Sequence, residues 1–199
     1  FGSVDFARLT FSGISESGSV FYMFAAAFLL MGVLPFLTIR FIFHESPKDY
    51  GLRLGDWRSG LALAVLLFIL ISILVLYPSS QTAEMRSFYP FDKSAGESLG
   101  AFLRLELSRG LFFYTAWEFF FRGFLLFGLR DQFGDWGAIC IQTIPSCLWH
   151  IGLPTGEILA SILAGIVFGI IALRTRSIFW VFWLHFLIGT ATDFFIVTG

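Results

Sequence analysis

The stretch WEFFFRG, residues 117–123, decides the fold. It lies in a run from 110 to 129 that is otherwise almost wholly apolar and therefore belongs in lipid. A charged side chain at that depth costs about 2.5–3.5 kcal/mol on insertion scales. Glu118 and Arg122 lie four positions apart, so that on a helix they share one face and can pair. Pairing reduces the cost of burial without removing it, so the pair indicates either a functional site or an ion pair that only fixes helix packing.

The composition of the whole chain is that of a membrane protein. Of its 199 residues, 57% are hydrophobic and 19% are aromatic. Charged residues make up 14%, about half the share that is usual in a soluble domain. The length fits a single membrane domain, and a net charge of −1 offers no basic surface for nucleic acid. We therefore expect an integral membrane protein that contacts the lipid bilayer and binds no nucleic acid.

Six apolar segments predict an all-α fold, a polytopic membrane helix bundle with about six transmembrane helices. A helix needs roughly 17–25 apolar residues to cross the hydrocarbon core. We expect residues 1–17 to form a polar or interfacial segment and residues 18–199 to form one bundle. The predicted spans are 17–39, 59–83, 99–129, 136–156, 158–173 and 177–197, and Pro145 should kink the fourth of them.

The basic residues predict an orientation for this bundle. The loops after the first, third and fifth spans carry most of them, namely Arg40, Lys48, Arg53, Arg58, Arg130, Arg174 and Arg176. By the positive-inside rule these loops face the cytoplasm. The first, third and fifth spans then run inward, and both ends of the chain lie outside.

Polar residues on three of the spans lie at similar depths. At a rise of about 1.5 Å per residue, Glu118 lies roughly 18 Å from the inner surface, His150 roughly 22 Å and His185 roughly 14 Å. All three then fall in the middle third of a core about 30 Å thick. Asp193 would lie deeper, at about 25 Å. An acid and two imidazoles at one level on separate helices predict a shared site.

These residue types suit the hydrolysis of an amide. A carboxylate beside an imidazole can hold and deprotonate water, which predicts Glu118 as the general base and His150 as its partner on the water. Arg122 would fix the carboxylate. His185, with Asp193 as a candidate helper, would donate a hydrogen bond to the carbonyl oxygen as it becomes an oxyanion.

Metal chemistry is the alternative use of the same residues. Glu118, His150 and His185 could together bind Zn²⁺. The chain has no HExxH spacing, however, and its two cysteines, Cys140 and Cys147, lie seven positions apart without the spacing of metal ligands. We therefore predict no metal and no other cofactor.

At these residues the chain resembles the CAAX-protease and bacteriocin-processing family of intramembrane glutamic endopeptidases, also called the CPBP or Abi family. The first motif of that family reads Glu-Glu-x-x-x-Arg, often followed by Gly. Glu118, Arg122 and Gly123 match its second Glu, its Arg and its Gly. The resemblance covers roughly residues 45–197, with a protease-like core at about 98–197.

The two later motifs of the family match in part. The second motif ends in a His that His150 matches, although Ser146 stands where a Phe is expected. The third motif reads His-x-x-x-Asn or Asp. His185 matches the His, but the fourth residue after it is Gly189, and the nearest acid is Asp193.

The resemblance implies an intramembrane, metal-independent endopeptidase that cleaves a peptide or a membrane-anchored protein. The basic turn at 173–177 is similar to that of bacterial members, which implies the bacterial cytoplasmic (inner) membrane as its location. Glu118 with Arg122, His150, His185 and Asp193 would then form the catalytic set.

Trp117 departs from the family pattern and leaves a second hypothesis open. In the family, the Glu at this position is regarded as the residue that activates water, and an indole cannot act as a base. Either Glu118 takes over, or the protein is a non-catalytic, protease-like subunit that binds or scaffolds a partner membrane protein. A proton-coupled transporter would use the same buried acids, but it predicts an inverted repeat that the sequence lacks.

Overall fold

A computed structural model describes residues 2–199, and all of its regular elements are helices. Phe1, part of the predicted interfacial segment, lies outside the described residues. Helix α1 is Val4–Thr10, α2 is Glu16–Phe43, α3 is Trp57–Ser80 and α4 is Ala83–Phe88. Helices α5 (99–133) and α6 (135–148) follow, then α7 (Thr155–Thr175) and α8 (Phe179–Thr198).

Polar caps set the start of the long helices. The side chains of Ser15, Asp56 and Ser98 each accept a hydrogen bond from the backbone N–H three positions on, at 3.1–3.2 Å. Each cap satisfies a donor that the first turn of a helix leaves unpaired. Helices α2, α3 and α5 therefore begin where the sequence changes from polar to apolar.

Four helices, α2, α3, α7 and α8, are long and apolar enough to cross a membrane. Within the most apolar window of α3 only 17% of the residues are buried. Its outward side chains, such as Leu66, Ile73 and Leu74, are more than half exposed. An apolar surface of this kind requires lipid around it. The prediction of an all-α, polytopic integral membrane protein is confirmed, and the third and fourth predicted spans correspond to α5 and α6.

The boundary between α5 and α6 differs from the expectation. The predicted turn at 130–135 is reduced to one non-helical residue, Gly134, with φ 70° and ψ 172°. Glycine adopts this backbone without steric cost. The residue with non-helical backbone angles in this stretch is therefore Gly134 and not Pro145, which lies inside α6.

Helix α6 is shorter than the predicted fourth span. It ends at Leu148 and not near 156, because the next residues form tight turns around Gly152, whose φ is 96°. His150 therefore lies in the turn after α6 and not within a helix.

Wide, π-type turns interrupt three of the helices. The backbone N–H groups of Leu34, His44 and Tyr77 each bond the carbonyl five residues earlier. Helix α5 contains two such turns, Arg109–Tyr114 and Phe119–Leu125. They lie on either side of Glu118, and wide turns of this type often occur at functional sites.

Small residues bring α7 close to α6. The carbonyl of Gly165 accepts a hydrogen bond of 2.8 Å from the Gln142 side chain. A Cβ atom at Gly165 would lie 2.6 Å from the Thr143 side chain, and one at Gly169 would lie 3.1 Å from Ile139. The two helices therefore pack too closely for a side chain at residue 165 and leave little room for one at residue 169.

The loop at 44–56 packs on the turn between α7 and α8. The Asp56 N–H donates to the Thr175 carbonyl, and the Arg53 Nε–H donates to the Arg176 carbonyl, each at 2.9 Å. Arg130 lines the same surface pocket as Arg53 and Arg176. The three basic loops thus meet at one end of the bundle, as the predicted orientation requires.

Candidate active site

Glu118 is a fully buried acid of the predicted site. Its side chain is 0% exposed, in the middle of α5. The Nη1 atom of Arg122 lies 3.4 Å from its Oε1 atom, so the predicted pair forms. The Arg122 guanidinium also lies over the ring of Phe168, 5.3 Å from the ring centre. The aromatic face adds to the stabilisation of a cation that is withdrawn from water.

His185 contacts the same carboxylate from α8. Its Nδ1 atom lies 2.5 Å from Oε1 of Glu118. Because a carboxylate oxygen accepts hydrogen bonds, Nδ1–H of His185 is the donor in this contact. The Nε2 atom of neutral His185 then carries a lone pair and accepts hydrogen bonds. Nδ1 of His185 is thus used on Glu118, and the donor role toward the oxyanion that the sequence suggested for His185 stays a prediction.

The second oxygen of Glu118 has a different environment. Oε2 is buried, and no residue of the described chain bonds it. A buried carboxylate oxygen without a partner is costly, so this atom has a strong tendency to bind a donor. The Oε1 atom is held by the Arg122 guanidinium and by the Nδ1–H group of His185, whereas Oε2 is free to accept a proton.

His150 lies in the turn after α6. Its Nδ1 atom lies 2.7 Å from the Ser146 carbonyl oxygen. A carbonyl only accepts, so Nδ1–H donates, and Nε2 of the neutral ring is an acceptor. Ser146, which replaces the expected Phe of the second motif, thus orients His150 through its backbone.

Trp117 stands against both histidines. Its ring centre is 5.6 Å from that of His150 and 6.5 Å from that of His185. The residue is only 3% exposed and packs edge-on against Trp149. Glu118 and His185 are therefore in direct contact. His150 is linked to His185 through the Trp117 ring, which packs against both histidines.

Asp193 belongs to a second buried group. Its Oδ2 atom lies 3.0 Å from Nη2 of Arg109, and the same Nη2 lies 2.6 Å from Oε2 of Glu106. The hydroxyl of Thr190 donates to Glu106 at 2.8 Å. We call Glu106, Arg109 and Asp193 the buried triad. Asp193 therefore pairs with Arg109 in the structure, and its role as a helper of His185 stays a prediction.

Sequence reasoning missed the burial of the buried triad. Glu106 and Arg109 were not among the predicted site residues, yet they are 2% and 1% exposed and therefore buried. The three-residue spacing of an acid and an arginine was the available signal. The partner on the far helix, Asp193, cannot be assigned from spacing.

Tyr114 was also missed, and it lies between the two polar groups. Its ring centre is 4.3 Å from that of the His185 ring. The Arg109 guanidinium lies over the Tyr114 ring, 5.4 Å from its centre. Its hydroxyl lies against the backbone of Gly189. The unexpected glycine in the third motif was the signal that another side chain fills this space.

The described residues, 2–199, hold no group of three His, Cys, Asp or Glu side chains that could bind a metal ion. Cys140 is exposed, Cys147 is partly buried, and both are free thiols.

Residues 105–191 match the family model described as type II CAAX prenyl endopeptidase Rce1-like. Over this segment the chain is similar to that family. The segment contains Glu118, Arg122, His150 and His185, and the resemblance to the CAAX-protease family is confirmed over it. The family is one of CAAX protease-type membrane proteases, which agrees with the helices that could span a bilayer. No curated protein and no solved structure matches the chain.

Proposed function

We propose that the protein is an intramembrane endopeptidase in which Glu118 activates water without a metal. The observation that carries the proposal is the asymmetric environment of this buried carboxylate. Oε1 is fixed by His185 at 2.5 Å and by Arg122 at 3.4 Å, while Oε2 has no partner among the described residues. One oxygen is held and the other is available as a base. The Rce1-like match over residues 105–191 supports the same reaction class.

The proposed reaction proceeds in two proton transfers. Oε2 of Glu118 takes a proton from water, and the water oxygen forms a bond to the carbonyl carbon of the substrate. Glu118 then gives this proton to the nitrogen of the leaving amine as the C–N bond breaks. Nε2 of His150, an acceptor in the tautomer set by Ser146, would hold the second hydrogen of the water. His185 and Arg122 keep the carboxylate in one orientation throughout.

The substrate class in this proposal is a peptide or a membrane-anchored protein segment. The Rce1-like match names a prenyl endopeptidase, so a prenylated carboxyl-terminal peptide is one candidate. The side chain of His185 is 21% exposed, whereas that of Glu118 is 0% exposed. A substrate would therefore reach the site from the His185 side. We place the protein in the bacterial cytoplasmic membrane.

The test is a cleavage assay on the whole chain in liposomes. The probes are a farnesylated CAAX-box peptide and a panel of single-span peptides, with products identified by mass spectrometry. Glu118→Gln keeps the shape of the side chain and removes its basicity, so it should abolish cleavage while leaving peptide binding intact. Glu97→Gln, at an exposed acid outside the site, is the matched control and should cleave like wild type. Equal rates for wild type and Glu118→Gln would contradict the proposal.

A non-catalytic scaffold is the second candidate, and one observation favours it. The buried indole of Trp117, which cannot act as a base, packs against both His150 and His185. A protein of this kind would cleave none of the probes but would still bind a membrane partner. Cleavage by the wild type that Glu118→Gln abolishes would exclude it.

A further inference from the structure

The reaction proposed above puts negative charge on the carbonyl oxygen of the substrate, and this oxygen needs a hydrogen-bond donor. Neither histidine supplies one from Nε2 in its neutral form. Nδ1 of His185 is used on Glu118 at 2.5 Å, and Nδ1 of His150 is used on the Ser146 carbonyl at 2.7 Å. Arg122 faces the Glu118 carboxylate through Nη1, while its buried Nε–H has no partner within residues 2–199. A neutral hydroxyl beside the histidines is a further candidate for the donor.

The Tyr114 ring lies next to His185, and its hydroxyl lies against Gly189. Tyr114 precedes Glu118 by four positions on α5, so both side chains project from the same side of the helix. Its ring packs on the His185 imidazole at 4.3 Å between centres. The side chain is buried, and its hydroxyl forms no hydrogen bond within residues 2–199.

Gly189 makes room for this hydroxyl. A Cβ atom at residue 189 would lie 2.1 Å from the Tyr114 oxygen and 2.9 Å from the ring carbon that carries it. No side chain can occupy position 189 while the phenol is in place. Position 189 is one helical turn after His185 on α8. The hydroxyl therefore occupies the volume that a side chain from this turn would otherwise fill.

The ring of Tyr114 is held from two sides. His185 packs on it, and the Arg109 guanidinium lies 5.4 Å from its centre. Arg109 is itself fixed by Glu106 and Asp193 at 2.6 and 3.0 Å. A donor that is rigid before the reaction needs no reorganisation when charge develops, and this is the property that makes such donors effective.

From this geometry we propose that the Tyr114 hydroxyl donates the hydrogen bond that stabilises the oxyanion, in place of any side chain at residue 189. The proposal rests on the endopeptidase function given above. It gives Tyr114 a catalytic role and gives the buried triad the role of holding its ring.

Tyr114→Phe is the first test, in the liposome assay with the farnesylated CAAX-box and single-span peptides. Loss of one oxyanion donor lowers kcat by about 10²–10³-fold. KM should stay within about twofold and the melting temperature should stay unchanged, because the ring and its contacts remain. Tyr77→Phe is the control, since Tyr77 is 57% exposed and away from the site, and it should match wild type.

A swap between positions 114 and 189 separates a donor from a packing residue. Tyr114→Leu removes the atoms that approach Gly189, and a second change, Gly189→Asn, then puts an amide donor into the same volume. The double variant should cleave at least about tenfold faster than Tyr114→Leu alone, since an oxyanion-hole donor is worth about 10²–10³-fold. A purely structural role for Tyr114 predicts no rescue by Asn.

The outcomes distinguish the two proposals. If wild type cleaves and Tyr114→Phe cleaves equally fast, the role of Tyr114 is overturned and the endopeptidase function stands. If the double variant is no faster than Tyr114→Leu, the donor role is overturned as well. If wild type cleaves none of the probes, the endopeptidase function fails and the role of Tyr114 falls with it.

Discussion

Nδ1 of His185 lies 2.5 Å from Oε1 of Glu118, although 67 residues separate them along the chain. The contact joins α8 to α5 inside the bundle, where the Glu118 side chain is 0% exposed. A carboxylate in this position depends on its donors for stability as well as for orientation. Folding and chemistry are therefore coupled at this carboxylate, and the first two predictions separate them.

Arg122→Ala should destabilise the protein by about 3–5 kcal/mol, because it leaves a buried carboxylate without its cation. The measurement is unfolding in detergent micelles, followed by circular dichroism. Arg130→Ala is the control, since Arg130 pairs with Asp135 at the surface, where the two side chains are 40% and 52% exposed. An exposed pair contributes about 0–1 kcal/mol. Equal melting of Arg122→Ala and wild type would show that the Glu118–Arg122 pair is not stabilising.

The two histidines should differ in their effect on stability. His185→Ala removes a donor from buried Glu118 and should cost about 1–3 kcal/mol of stability as well as activity. His150→Ala leaves no carboxylate unpaired, because His150 bonds only the Ser146 carbonyl, so it should lower activity with a smaller loss of stability. Cleavage rates and melting curves for both variants check this. The reverse order of stabilities would argue against the Glu118–His185 bond.

Asp193→Asn should retain cleavage within about threefold, because Asp193 pairs with Arg109 and not with His185. Two carboxylates share one guanidinium in the buried triad, so the loss of one charge is tolerated. Arg109→Ala leaves both acids uncompensated and should destabilise by about 3–5 kcal/mol. Kinetics and melting of the two variants test this contrast. Loss of cleavage in a well-folded Asp193→Asn variant would return Asp193 to the catalytic set.

Chelators should leave the reaction rate unchanged. The proposed steps use Glu118 as the proton acceptor and His150 as a hydrogen-bond acceptor, and the sequence has no HExxH spacing. Cleavage is measured after treatment with 1,10-phenanthroline or EDTA, and again after addition of zinc. Inhibition that zinc reverses would overturn the glutamate mechanism.

The depth of each site residue in the membrane could be predicted from the sequence. The direction in which its side chain points around the helix axis could not. Counting residues from the basic turns placed Glu118 and His185 at one level, and the structure joins them. The same count could not say that Asp193 turns toward Arg109, because that depends on how α8 is rotated against α5. Tyr114 and Gly189 are complementary across two helices, and such a fit exists only after packing.

Helix ends were predicted less well, for a local reason. Gly134 was expected within a loop, yet one residue of positive φ is enough to separate α5 from α6. The end of α6 at Leu148 depends on turns around Gly152, which hydropathy does not detect. Apolar composition continues through these residues while the backbone changes direction.

The wide turn Arg109–Tyr114 adjusts the angular phase of α5. In an uninterrupted helix the 12 positions from Glu106 to Glu118 advance by about 1,200°, which leaves the two acids about 120° apart in azimuth. A wide turn accommodates one extra residue, which offsets about 100° of rotation around the helix axis. The angle between the two acids then falls to about 20°. Both acids can then face α8, where they meet Thr190 and His185. Deleting a single residue within this turn would therefore rotate one acid out of alignment with the other, even if every side chain of the site were retained.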